Sequence, residues 1–411
     1  MKNILFILFL MLLVACKTNS EEKYTSVTIK EDVIFLADDK LEGRQTGTDG
    51  EKAAANYIAS RFKSLGIEPK GTDGYFQTFS FKPKTDPHQE VNYTVKDGDS
   101  TITGTNVIAF LDNKAKNTII IGAHYDHLGY GAEGSLFRGE SQEIHNGADD
   151  NASGVAVLLN LAEKLKTKNT GNNYLFMAFS GEEMGLLGSN YFTKNPTIDL
   201  TKANYMLNMD MVGRLKQDST LAVYGVGTSP ILKQVVKANN SKFKIIENES
   251  GVGPSDHTSF YNSDIPVLHF FTGQHEDYHK PSDDYEKLNY EGMETISTYI
   301  FDIISDLDDN GKLPFRKTKN ESEDVPRFKV GLGVIPDYLY DGKGMRIDGV
   351  SEDKPAEKAG LQKGDIVVKL GDSLVTDMMS YMRALSTFDN GDKTKVTVKR
   401  GDDEVEAEIE F

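Results

Sequence analysis

The chain has 411 residues and carries 63 acidic against 46 basic side chains, a formal net charge of −17. That balance excludes nucleic acid as a partner, because a phosphate backbone needs a basic surface. The length exceeds what one compact core usually holds, so two or more domains are expected. The single cysteine, Cys16, excludes any intramolecular disulfide.

Lys2 precedes an apolar run over residues 4–15 that ends at Cys16. The run is too short to cross a bilayer, which takes about 20 residues, and matches the core of a signal peptide. Leu13-Val14-Ala15-Cys16 resembles the bacterial lipoprotein box. The resemblance implies removal of residues 1–15 and acylation of Cys16. Residues 16–25 then form a polar tether. The protein is expected to be exported and anchored by lipid, on the periplasmic side of a membrane or at the cell surface, without spanning it.

Residues 26–67 are patterned as helices, with apolar faces over 31–41 and 51–65 separated by the loop LEGRQTGTDG. Gly66 is a helix stop. Residues 75–81 alternate as a strand, and 82–103 are polar and irregular, a hairpin excursion. Four strand-like apolar runs follow, at 118–122, 174–179, 205–208 and 266–271, with helical patterns at 154–166 and 185–193. This alternation predicts an α/β fold, a mostly parallel mixed sheet flanked by helices. A closing helix over 290–307 ends a first domain at 26–308. A charged stretch, 309–325, is a linker, and 326–411 form a second, smaller β-rich domain.

In such sheets, ligands bind beyond the carboxyl ends of the strands. Polar residues able to bind metal follow each of the four runs. They are His124 and Asp126, then Glu182 and Glu183, then Asp210, then Tyr278 and His279. Between the first and second runs lies NGADDNASG, with Asp149 and Asp150 among small residues. On its own this stretch reads first as an Asx turn leading into a helix cap, and the rest of the set reverses that reading. With Asp149 the set is two histidines and three carboxylates, plus one spare glutamate. Imidazole and carboxylate without thiolate suit zinc, with manganese or cobalt as substitutes.

The motifs resemble, in order, those of the M28 family of metallo-aminopeptidases: EDVIFLADDKLEGRQTGT, His124-x-Asp126, GADDNASG, Glu182-Glu183, NMDMVGR, SDHTSF and Tyr278-His279. The resemblance covers about residues 30–307. It implies two zinc ions sharing Asp149, one also held by Glu183 and His279, the other by His124 and Asp210. It implies a cis peptide between Asp149 and Asp150. Two cations roughly 3.5–4 Å apart acidify a water and polarise the scissile carbonyl. Glu182 resembles the family's general base, Tyr278 its oxyanion stabiliser, and Asp126 the carboxylate that orients His124 through its other ring nitrogen. Asp150, Asp256 and His257 are expected to support the metals, and Arg44 and Arg214 to salt-bridge the scaffold. His127, His145, His269 and His275 receive no role. Glu276 and Asp277 are spare carboxylates for a substrate amine.

Residues 329–411 resemble a PDZ domain. Gly331, Leu332, Gly333 and Val334 match its carboxylate-binding loop, and 378–385 its groove helix. The resemblance implies a groove for the C-terminal segment of a peptide. The leading expectation is removal of N-terminal residues from peptides with a free amino terminus, using two zinc ions. Two alternatives differ in class. One is a single-zinc aminoacyltransferase like the glutaminyl cyclases, which use Trp around the pocket; this chain has none. The other is a dead peptidase fold acting as a binding protein, which would have lost ligands or Glu182. No candidate ligand lies beyond the linker, so the metal centre is expected to work independently of the C-terminal module.

Overall fold

Thr28 starts the first helix with a capping box: its hydroxyl accepts from Glu31 N–H while Glu31 accepts from Thr28 N–H. Helix α1 (Ile29–Leu36) is shorter than the apolar pattern, because a 3-10 turn at Asp39–Arg44 takes over. The computed structural model describes residues 26–83, 93–319 and 329–411, apart from positions 97, 132, 133, 140, 169, 341 and 352. The signal segment, the tether with Cys16, and parts of the excursion and linker therefore lie outside the described residues. No helix among the described residues is long and apolar enough to cross a membrane.

Helix α2 (Asp49–Ser64) leads through β1 (Glu68–Pro69) and β2 (Phe76–Phe81) to β3 (Ile102–Leu111). The expected alternation then appears: β4 (Thr118–His124), α3 (Gly154–Leu165), β5 (Asn173–Phe179), α4 (Leu187–Lys194) and β6 (Ala203–Met209). After β7 (Thr220–Tyr224), α5 (Leu232–Ala238) and β8 (Lys244–Asn248) come α6 (His257–Tyr261), β9 (Val267–Phe271) and α7 (Tyr290–Asp306). The strand order is β1-β3-β5-β4-β6-β9-β7-β8, with β2 on β3. The centre, β5-β4-β6-β9, is parallel, and antiparallel pairings with β3 and β7 flank it.

Strands β4, β5 and β6 are buried at every position, as expected of parallel strands covered on both faces. Alternation splits their side chains. Ile119, Ile121, Phe176 and Leu207 join α1, α2, α3 and α7 in one core; Ile120, Met177, Phe179 and Met206 meet Phe192 of α4 and Phe260 of α6 in another. The carboxyl ends of the central strands thus emerge together from a rigid slab. The polar stretch beyond α7 is not free: Leu313 is buried in the larger core, and Arg316 N–H donates to Thr228 O.

The C-terminal module has its own core. Its elements are β10 (Val334–Pro336), β11 (Met345–Val350), α8 (Pro355–Lys358), β12 (Ile366–Leu370), β13 (Ser373–Leu374), α9 (Met378–Leu385), β14 (Lys393–Arg400) and β15 (Asp403–Glu410). Strand β10 is an edge strand in the order β10-β11-β12-β14-β15. The Gly331–Val334 loop leads into it, with Gly333 at φ +74 and its carbonyl accepting from Ser351 N–H.

Candidate metal centre

His124 ends β4. Its Nδ1 lies 3.2 Å from the carbonyl of Asp126, which leaves Nε2 to face 3.3 Å to Asp150 Oδ1 and 3.3 Å to Asp210 Oδ1. Asp210 directly follows β6 and is held by its N–H donating to Phe270 O. Strand register alone therefore brings these two donors together.

The second set is built in loops. His279 sits after β9 with φ +54, a backbone conformation few side chains adopt. Its Nδ1–H donates to Gly134 O, so Nε2 points 3.2 Å to Asp150 Oδ2 and 3.3 Å to Glu183 Oε2. Asp126 accepts from the N–H groups of both Glu182 and Glu183, which pins the loop after β5. Asp126 thus does more for that loop than for His124, whose Nδ1 is 3.7 Å from its carboxylate.

The carboxylate shared by both sets is that of Asp150, not Asp149. Asp149 turns away: Oδ1 accepts from Gly213 N–H at 2.6 Å, and Oδ2 lies 3.1 Å from His275 Nε2. The cis peptide correspondingly joins Asp150 to Asn151. The reason is local. Asp283 Oδ2 accepts from the N–H groups of both Asp149 and Asp150, fixing the backbone so that the second carboxylate faces the histidines. Gly147, at φ +53, permits this, since a Cβ there would stand 2.1 Å from Asp150 O and 2.5 Å from the His127 ring.

Charge follows geometry. Burial works against an ionised Asp150, yet hydrogen bonds from His124 and His279 outweigh it and hold the carboxyl well below its usual range. Burial likewise opposes a charged His279, but Glu183 and Asp150 raise it to about 11. Burial pushes Glu182 well above the carboxylate range; Asp210, Glu183 and Asp256 add to the effect and His124 opposes it. Such a cluster demands positive charge. Donors about 2.0–2.1 Å from a tetrahedral ion lie roughly 3.3 Å apart, which is the spacing observed on both sides of Asp150. The donor set fits two cations of the zinc type.

Tyr278 stacks on His279 with ring centroids 3.9 Å apart. It is partly exposed. Asp256 is fully buried, and its charge reaches Glu182. His257 is also fully buried and stacks on His269 at 4.4 Å. Arg44 braces the scaffold, but through carbonyls: it donates to those of Leu36, Tyr125, Asn146 and Gly147. Arg214 pairs with Asp277, which also accepts from Lys287 and Ser282. Asp277 is therefore not spare, whereas Glu276 is exposed.

Two residues that sequence reasoning left aside belong here. His127 Nδ1–H donates to Glu183 Oε1 at 2.7 Å, and the ring is buried. Asp283 sets the backbone of the Asp149-Asp150 pair. The signals were a second histidine three residues past His124 and a second adjacent aspartate pair in PSDD.

Residues 106–304 match the model for peptidase family M28, and residues 316–411 that for the PDZ domain. The alkaline phosphatase isozyme conversion protein of Escherichia coli (strain K12) is 31% identical over 198 residues, 47% of this chain and 53% of that protein. A probable leucine aminopeptidase of Trichophyton verrucosum is 33% identical over 172 residues, 39% of this chain and 44% of that protein. The matched part of the chain thus spans about half the length of these relatives. Among solved structures, a zinc aminopeptidase from Bacillus subtilis superposes with TM-score 0.53 at 17% identity, covering 71% of this chain and 96% of that one. The glutaminyl cyclase of Porphyromonas gingivalis superposes with TM-score 0.55 at 19% identity, covering 68% and 97%. These likenesses establish the fold.

Proposed function

We propose, from the match of residues 106–304 to peptidase family M28 and of residues 316–411 to the PDZ domain, that the chain is a two-zinc aminopeptidase acting on peptides with a free amino terminus. The observation that carries the proposal is the pair of donor sets meeting at one carboxylate, Asp150, with Glu182 Oε2 3.8 Å from His124 Nε2 at their edge. His124, Asp150 and Asp210 would hold one ion; His279, Asp150 and Glu183 would hold the other. Bound there, the ions supply an acidified water and a polarised scissile carbonyl.

The chain's own groups do the rest. Glu182, whose Oε2 lies 3.8 Å from His124 Nε2, takes a proton from the attacking water and delivers it to the leaving amine. Asp126 fixes the loop so that Glu182 and Glu183 diverge, one free and one committed to metal. Tyr278 offers its hydroxyl to the oxyanion from its stacked position on His279. Glu276, exposed and two residues before Tyr278 in the chain, is the carboxylate we assign to the substrate's ammonium group.

The test is zinc content together with a panel of aminoacyl chromogenic substrates and their N-acetylated forms. Two zinc ions per chain and hydrolysis only of the free-amine substrates are expected. Cyclisation of N-terminal glutamine without hydrolysis would instead support the cyclase reading, and an inert, metal-free chain the binding-protein reading. We also propose lipid anchoring at Cys16. Metabolic labelling with a fatty acid decides that point, and an unlabelled wild type sinks it.

A further inference from the structure

In the turn after β10 one apolar side chain is buried, but not in its own domain's core. Leu339 is 4% exposed, yet it joins none of the apolar clusters of either domain. Its side chain lies instead against the backbone of Gly273, where a Cβ would stand 2.7 Å from Leu339 Cδ1. Gly273 has φ +98, so both its conformation and this approach require glycine.

Gly273 lies at the head of the segment that carries His275, the partner of Asp149, then Tyr278, then His279. A second contact supports the same junction. Lys216 Nζ lies 3.3 Å from Asp348 Oδ2 of β11, two residues beyond Arg214, which grips Asp277 of that segment. The connecting chain is tacked down as well. Thr318 N–H donates to the hydroxyl of Tyr261, and Thr318 Oγ1 accepts from Gly251 N–H.

We infer that Leu339 is a positioning residue for the metal centre: the C-terminal module clamps segment 272–279 and so sets His279 and its half of the centre. This rests on the reading of His279 as a ligand and replaces the expected independence of the two domains. The side of the centre made by β4 and β6 needs no such clamp, because strand pairing fixes it.

Leu339→Asp and Leu339→Ala in the full-length chain test the inference. The first readout is hydrogen–deuterium exchange of the metal-free protein. Faster exchange at 272–279 is expected, with 203–212 unchanged, more in L339D than in L339A. The second is zinc affinity by chelator competition, where one of two zinc equivalents should weaken by about tenfold or more, as when support behind a ligand is lost. Wild-type exchange at 272–279 and wild-type zinc affinity in both variants would overturn the inference. Should L339D fail to fold, L339A reads the same quantities. The exchange readout needs neither zinc nor hydrolysis, so it stands or falls separately from the peptidase proposal.

Discussion

The two halves of the centre are made of different material. His124 and Asp210 sit at the ends of neighbouring parallel strands, buried on both faces, and pairing of β4 with β6 sets their separation. Glu183 and His279 sit in loops, one pinned by Asp126 and the other carrying an unusual φ of +54. The first half inherits its precision from the slab. The second must be assembled from side-chain hydrogen bonds: Gly134 O on His279, His127 on Glu183, and Asp283 behind the shared carboxylate. A centre built this way should lose its loop half first, and mutations should reveal that asymmetry.

The largest effect is expected where the halves meet. Asp150→Ala removes a donor from both, so zinc should fall below one equivalent and hydrolysis should vanish. Asp149→Asn is the control one residue away. It disturbs only the contacts to Gly213 and His275, and a loss of about 10–100-fold is expected, as for outer-sphere support. If Asp149→Asn emptied both positions while Asp150→Ala kept them, the shared carboxylate would be misassigned.

Next comes Glu182→Gln. Its carboxylate clusters with His124 and Asp210, but in the proposed reading it is the base and not a ligand, so both zinc ions should remain. A drop in kcat of about 10²–10⁴ is expected from removing a general base. Wild-type turnover with two zinc ions bound would take the role from Glu182.

His127→Ala probes the loop half alone. It deletes the N–H that fixes Glu183 Oε1, leaving Oε2 free to swing. One zinc equivalent should weaken by about 10–100-fold while the other holds. Equal weakening of both would break the asymmetry between the halves.

The same contrast explains what the sequence made legible. Strands and helices of the slab announced themselves through apolar runs, and their polar successors named His124 and Asp210 directly. Glu182, Glu183 and His279 also fell beyond those runs, and the structure brings them to the same place. What stayed hidden was orientation. Asp149 and Asp150 are the same residue type side by side, and only a distant carboxylate, Asp283, decides which one faces inward. His127 looked like a loop histidine because its partner is 56 positions away. Strand β3 was missed because Thr103 and Thr105 interrupt its apolar pattern at the end that pairs with β2. The clamp was invisible for the same reason: nothing local in Leu339 or Gly273 says that they meet.

The smallest effect is expected from Lys216→Ala, and it tests what kind of force holds the clamp. Lys216 and Asp348 are 3.3 Å apart, but the lysine is over a third exposed, and Asp348 keeps Lys363 at 3.3 Å when Lys216 is gone. An ion pair of this kind contributes about 0–1 kcal/mol. Burying a leucine side chain contributes about 1.5–3 kcal/mol, so the apolar contact of Leu339 should dominate. Lys216→Ala should therefore leave both zinc affinities and the exchange of 272–279 at wild-type values, with at most a small fall in melting temperature. Salt offers an independent check, because screening weakens exposed charge pairs and spares apolar contacts. If Lys216→Ala or high salt released segment 272–279 as fully as Leu339→Asp, the module would be held by charge. Leu339 would then be a spacer in an electrostatic junction.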